Sequence, residues 1–258
     1  MHFHLPKPLH GWREFAGEVG IIVVGVLIAL GAEQVVEGVH WRSEAREATD
    51  SLRDELADHY VTASEMVIAQ PCIDQQLVTL EKSLLKPGPY VPVPTYSGSA
   101  GNFVFRAPTR SWADNVWRTV VSEGIATHLD SALRFRLAGY YAELDSMRAS
   151  NHDTDLLAVK LRILAQPIQP DAATRANLMQ QIEEARGQFA FMKLYGNQVV
   201  GMIEDVGMRP PQAYVADGLA QSGTLKFCRD HHLPLGKVEA QRQVVQSIHA
   251  YDKQPQAR

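Results

Sequence analysis

The sequence predicts an all-α fold: an N-terminal transmembrane helix that continues into a stalk, followed by a helical bundle built on a long antiparallel helical hairpin. Three observations carry this expectation. Between Glu18 and Glu33 every residue is apolar or Gly. Beyond them Ala45, Ala48, Leu52, Leu56, Tyr60, Ala63 and Val67 recur at steps of three and four, the spacing of one helical face. Further on, two long runs alternate apolar steps of four and three on either side of a Pro-rich turn, as paired helices do.

The apolar stretch alone, fourteen residues, makes about 21 Å of helix against a hydrocarbon core of ~30 Å. That length also suits a buried core helix or a signal-peptide core. Extending the helix from Phe15 to Val36 reaches about 33 Å, which spans. Glu18 and Glu33 then fall just inside the boundaries, where they can snorkel or stay protonated at far less cost than at the midplane. The transmembrane helix is therefore assigned to 15–39, after an N-terminal tail of 1–14. A cleaved signal peptide is the competing reading, with Ala29-Leu30-Gly31 as its cleavage site. Glu14 and Glu18 disturb the basic start that a signal peptide needs, and the helical pattern runs straight through the cut, which favours retention. Lys7 and Arg13 before the anchor balance Arg42 and Arg46 after it, so charge does not choose the orientation. A short tail inside and a large domain outside is the simpler arrangement.

The chain has 258 residues, of which 45% are hydrophobic and 21% charged, with a net charge of -4. The part after the anchor, 40–258, is long enough for one extramembrane helical domain with a core of its own. The chain has no basic excess, so no nucleic-acid partner is expected. Cys72 and Cys228 are the only cysteines. They read either as two unrelated buried thiols or as one disulfide in an oxidising compartment, which would tie the start of a second helix to the C-terminal segment.

Taken in order, no Gly or Pro follows Gly38 until Pro71, so the anchor is expected to continue as a stalk helix to about Ala69. Pro71 is expected to break it, and Ile73, Leu77, Leu80 and Leu84 to mark a second, shorter helix. Prolines at 87, 89, 92, 94 and 108 make 87–110 a Pro-rich loop, with YVPVP and NFVF as at most edge strands of a small hairpin. A loop of this length is either functional or a packed connection. Ser111 is expected to cap the next helix, with Asp114 as its capping-box partner, Trp112, Val116 and Val120 facing the core, and Gly124 ending it.

The hairpin is assigned to 128–207. Its first run is Leu133, Leu137, Tyr140, Leu144, Met147, Asn151, Thr154, Ala158, Leu161 and Ala165; the register survives the polar stretch 150–155, which reads as a polar layer in one continuous helix. Pro167 and Pro170 interrupt, Asp171 is a natural N-cap, and the second run extends from Leu178 to Val206. A turn near Ile168 sets Tyr140 opposite Gly196, Leu144 opposite Met192, Met147 opposite Phe189 and Leu137 opposite Val199. Residues 208–236 are irregular, with short helices near 212–221 and around Cys228, and Val238, Val245, Ile248 and Tyr251 suggest a last amphipathic helix.

Projected at ~100° per residue, Glu18, Ile22, Gly25, Ala29, Ala32 and Glu33 share one face of the anchor. Gly25 and Ala29 are a small-xxx-small pair, the spacing that lets two helix backbones approach in lipid, so this face is the candidate transmembrane interaction face. The alternative is that small residues are common in such helices and the acids merely mark the interfaces. Glu37-Gly-Val-His40 has the Glu-x-x-His spacing of carboxylate-bridged dimetal bundles, but the chain holds no second pair, and a solvated face explains it better. His231-His232 and His152-Asp153-x-Asp155 read as surface side chains and caps, and a Cys228–His231 nucleophile is weaker than a structural Cys228. No Gly-x-Ser-x-Gly, phosphate loop, His-Glu-x-x-His or paired-cysteine zinc motif occurs, so no catalytic residue, cofactor or metal is assigned.

HGWREFAGEVGIIVVGVLIALGAEQVVEGVHWR (10–42) and SWADNVWRTVVSEGIATHLDSALRFRLAGYYAELDSM (111–147) resemble an uncharacterised group of bacterial single-pass membrane proteins of unknown function. The resemblance covers about a third of the chain and implies a retained anchor and a helical extramembrane domain; it transfers no site residue. The expected protein is a non-enzymatic interaction or accessory subunit of a membrane assembly. Its partners would be the lipid bilayer and other transmembrane helices, and its place the bacterial inner membrane, N-terminus cytoplasmic and main domain periplasmic. A periplasmic ligand-sensing helical bundle is the second reading and requires a pocket.

Overall fold

Residues 11–98, 101–108 and 110–238 are described by a computed structural model. A single helix of 74 residues, α1 (Trp12–Leu85), runs through the expected anchor and stalk and on through the segment beyond Pro71. From Phe15 to Glu37 it is exposed, and from Ala48 on its apolar stripe is buried: Leu52, Leu56, Ala63 and Val67 lose all or nearly all their solvent contact. One helix thus supplies both a bare apolar rod and the spine of a folded domain.

The expected break at Pro71 does not occur. Proline removes one N–H and crowds the carbonyl four residues back, which ordinarily kinks or ends a helix. Here the stripe stays in phase across it, since Met66, Ala69, Ile73, Leu77, Leu80 and Leu84 are all buried on the same packing surface, and that burial offsets the lost bond. The chain also returns to this point. Gly236 N donates to Ile68 O at 2.8 Å, and a Cβ on Gly236 would lie 3.0 Å from Val67 O and 3.3 Å from Pro71 Cδ. Only a glycine backbone comes that close.

After α1 a short antiparallel pair forms between β1 (Tyr96–Gly98) and β2 (Gly101–Phe103). NFVF contributes Asn102 and Phe103, but YVPVP does not become its partner strand; of that segment Tyr90 bridges Ile168, its N–H on the Ile168 carbonyl at 2.9 Å and its hydroxyl on Leu164 O at 3.0 Å. Gln76 of α1 holds the other end of the loop, accepting from Arg106 N at 2.7 Å and donating to Arg106 O at 3.1 Å. With Val104 and Phe105 buried, the Pro-rich loop is a packed connection.

The next helix, α2 (Asn115–Ser122), starts later than the Ser111 cap suggested. Asp114 is its N-cap residue without a capping bond, because the carboxylate is committed to Arg148 at 2.9 Å and Arg118 at 3.4 Å. Gly124, at φ +78°, turns the chain into a 3₁₀ turn, Ile125–His128. Then come α3 (Ser131–Lys160), which tightens into a 3₁₀ segment at Leu161–Ala165, and α4 (Ala172–Val206). Asp130 caps α3 and Asp171 caps α4, the latter accepting from Thr174 N at 2.7 Å. The polar stretch 150–155 lies inside α3, where the buried Thr154 hydroxyl bonds back to Asn151 O at 2.7 Å.

Helices α3 and α4 fold back on each other, Arg136 near the start of α3 donating to the Asp205 carbonyl near the end of α4. The residue pairing differs from the expected one at Gly196. A Cβ there would meet Ala63 O and Val67 Cγ2 of α1, each at 3.0 Å, and the Tyr140 hydroxyl instead pairs with His59 of α1. A hairpin considered alone offers no partner but its own other helix; in the fold α4 lies along α1, and the small residue serves that seam. Two short helices, α5 (Gln212–Ala220) and α6 (Gly223–Asp230), complete the described chain. The expected last helix, through Val245, Ile248 and Tyr251, lies outside the described residues, as does most of the 1–14 tail.

Candidate functional site

Among the described residues α1 is the one helix long and apolar enough to cross a membrane, and no residue of its most apolar 18-residue window is buried. Glu18, Ile22, Gly25, Ala29, Ala32 and Glu33 are all exposed, Ile22 at 65%, and a Cβ on Gly25 would meet nothing within 4 Å. No other described element packs on this face. Trp12 and Trp41 stand 29 residues apart at its two ends, about 43 Å along a helix, the thickness of a bilayer with its headgroups.

Inside the bundle, polar side chains along α1 receive the other elements one by one. Glu55 accepts from the Tyr141 hydroxyl of α3 at 2.6 Å and from Val116 N of α2 at 3.0 Å. Asp58 accepts from Tyr214 of α5 at 2.5 Å. Glu65, buried, holds Arg110 Nε at 2.8 Å and the Ser222 hydroxyl at 2.6 Å; that hydroxyl also caps α6. Further along, Asp74 and Glu81 bind Arg186 of α4 at 3.2 and 2.7 Å. The tyrosines feel these carboxylates. The hydrogen bond to Asp58 and burial push Tyr214 up to about 12, while burial and Glu204 push Tyr60 up to about 12.

His59, next to Asp58 on α1, is 3% exposed, with Nδ1 2.7 Å from the Tyr140 hydroxyl and its ring against Trp112. Burial pulls its pKa down to about 4, opposed by a bond to the Ala113 backbone and the charge of Asp58. It is a neutral core imidazole. Glu55, Asp58, His59 and Glu65 escaped the sequence reading, although they flank the apolar stripe at steps of three and four, where polar side chains meet the edge of a packed face.

At the end of the folded domain nearest the apolar rod, a cleft of about 370 Å³ lies between α1 and the 3₁₀ turn, lined by Gln34, Glu37, Gly38, Trp41, Arg42 and His128. The Trp41 and His128 rings stack at 4.1 Å and 8°, and Trp41 Nε1 donates to Glu37 Oε1 at 3.3 Å. Of the Glu37–His40 pair, Glu37 thus accepts from Trp41, and His40 Nδ1 lies 3.9 Å from Glu44 Oε1. Among the described residues no three His, Cys, Asp or Glu side chains converge as metal ligands would.

Cys72 of α1 and Cys228 of α6 are joined by a disulfide, Cα–Cα 6.0 Å. His231 follows Cys228 by three residues, but its Nδ1 faces Phe227 O at 3.0 Å, and its ring stacks on Phe227. His152 stands near Asp155, whose carboxyl is raised by partial burial.

In comparisons with protein-family models, curated proteins and solved structures, nothing matches this chain.

Proposed function

We propose that this chain is a single-pass, membrane-anchored helical protein that works without catalysis, as an interaction or accessory subunit of a membrane assembly. The observation that carries the proposal is the division of α1: an apolar rod of spanning length with no packing partner, continuous with the spine of a well-packed domain. A rod of that kind has to be covered, by lipid along most of its circumference and by another helix where Gly25 and Ala29 leave the backbone open. The Cys72–Cys228 bond supports an oxidising compartment for the domain, hence a periplasmic location with the short N-terminus in the cytoplasm of a bacterial inner membrane. The resemblance of 10–42 to anchors of bacterial single-pass proteins fits the same placement.

Alkaline carbonate washing tests the anchor: the full-length chain should stay with the bilayer fraction, and a mature mass beginning near Ala32 would refute it in favour of secretion. Protease added to intact spheroplasts should digest the domain beyond residue 40. Purification in gentle detergent followed by mass spectrometry tests the accessory role, which predicts co-purifying membrane proteins; a chain that runs alone as a monomer would sink it.

A further inference from the structure

We infer that the cleft at Gly38 holds the headgroup of a glycerophospholipid that carries both a phosphate and a primary ammonium. The inference rests on the proposed anchoring, which brings the cleft to the level of the bilayer surface. At ~100° per residue, Gln34, Glu37, Gly38, Trp41 and Arg42 fall within a sector of about 140°, so one helical face lines it. The 3₁₀ turn roofs that face through the Trp41–His128 stack.

The lining is matched to a zwitterion. Arg42 makes no ion pair among the described residues, and its planar fork suits a phosphate. Glu37, five residues before it and held by the Trp41 indole N–H, offers carboxylate oxygens as the acceptor for an ammonium. A quaternary ammonium has no N–H to give Glu37, and one face of Trp41 that could hold it as a cation–π partner is taken by His128. A purely anionic headgroup would leave Glu37 facing negative charge. Gly38 forms the floor: it is half-buried, yet a Cβ there would meet nothing within 4 Å. A headgroup can therefore reach the Gly38 backbone from solvent.

The test uses the full-length chain in nanodiscs of equal phosphatidylethanolamine, phosphatidylcholine and phosphatidylglycerol, with retained lipid counted by native mass spectrometry on release into detergent. The wild-type chain should retain the ethanolamine lipid in preference, on the order of tenfold, the discrimination expected of one charged hydrogen bond. Gly38→Leu fills the floor while favouring the helix, and Arg42→Gln removes the phosphate partner; both should abolish the preference while circular dichroism and the disulfide stay unchanged. Equal retention of the three lipids by wild type, or an undiminished preference in Gly38→Leu, would overturn the cleft proposal and leave the anchor standing. A chain that fails to enter the discs would overturn both. Protection from thermal unfolding by water-soluble glycerophosphoethanolamine would reassign the site to a free headgroup.

Discussion

Replacing Gly196 by alanine puts a methyl group where α4 runs hard against α1. The new carbon would stand 3.0 Å from the Ala63 carbonyl oxygen and 3.0 Å from Val67 Cγ2, whereas ordinary contacts lie at about 3.5–4.0 Å. Neither neighbour yields easily, one being helix backbone and the other a fully buried, β-branched side chain. The two helices must part by about half an ångström, at an overpacking cost of ~1–3 kcal/mol. Alanine also favours a helix over glycine by about 1 kcal/mol, so the net change at Gly196 is a destabilisation of roughly 0–2 kcal/mol. Gly187, on the same helix, supplies the control: a Cβ there meets nothing within 4 Å, and Gly187→Ala should stabilise by about 0.5–1 kcal/mol. The propensity gain is common to both variants, so their difference isolates the overpacking. Urea unfolding of the full chain in detergent, followed by circular dichroism, measures it. Equal midpoints for the two variants would refute the close seam between α1 and α4.

Cys72→Ser with Cys228→Ser should lower stability by up to about 5 kcal/mol, from the loop of 156 residues that the bond closes, measured as the shift in denaturant midpoint. Thiol titration of unreduced, denatured wild type should find no free thiol. His59 has a folded pKa of about 4 against an ordinary 6.5, so the unfolded chain binds the extra proton between those values. Its contribution is complete above pH 6.5 and is lost as pH falls toward 4, by about 3 kcal/mol, and His59→Asn should flatten that part of the stability profile. A profile unchanged by His59→Asn would show that the imidazole is not held neutral. Glu65→Ala should cost about 1–3 kcal/mol, since Ser222 and Arg110 lose their acceptor together, and should loosen α6 first, visible as faster amide exchange at Leu225.

Much of this fold is legible in the sequence because burial follows helical spacing. The stripe from Ala48 to Val67, the N-cap at Asp171 and the short helices on either side of Ser222 all announce themselves locally. What was missed is tertiary. Pro71 is a breaker by its chemistry, and only the in-phase packing of Ile73 and Leu77, together with the return of Gly236, lets the helix pass through it. Gly196 was given a partner from the adjacent run because a hairpin is the nearest partner a sequence shows; its actual neighbour is more than 120 residues away in α1. The cleft at Gly38 was read only as a Glu-x-x-His spacing, since its roof, His128, arrives from a segment that no local pattern connects to Trp41.

The absence of a joint between the two halves of α1 has a geometric consequence. From Val39 to Ala69 the helix rises about 45 Å without interruption, and the packed elements are fastened to it along that length. Under the proposed anchoring, the angle at which the apolar rod leans in the bilayer is therefore also the angle of the domain. A lean of ~20°, ordinary for a spanning helix, displaces the level of Ala69 sideways by about 15 Å, more than the width of a helix. A neighbour that grips the rod in the membrane would in this way choose which side of the domain, and which stretch of the surrounding surface, comes within reach.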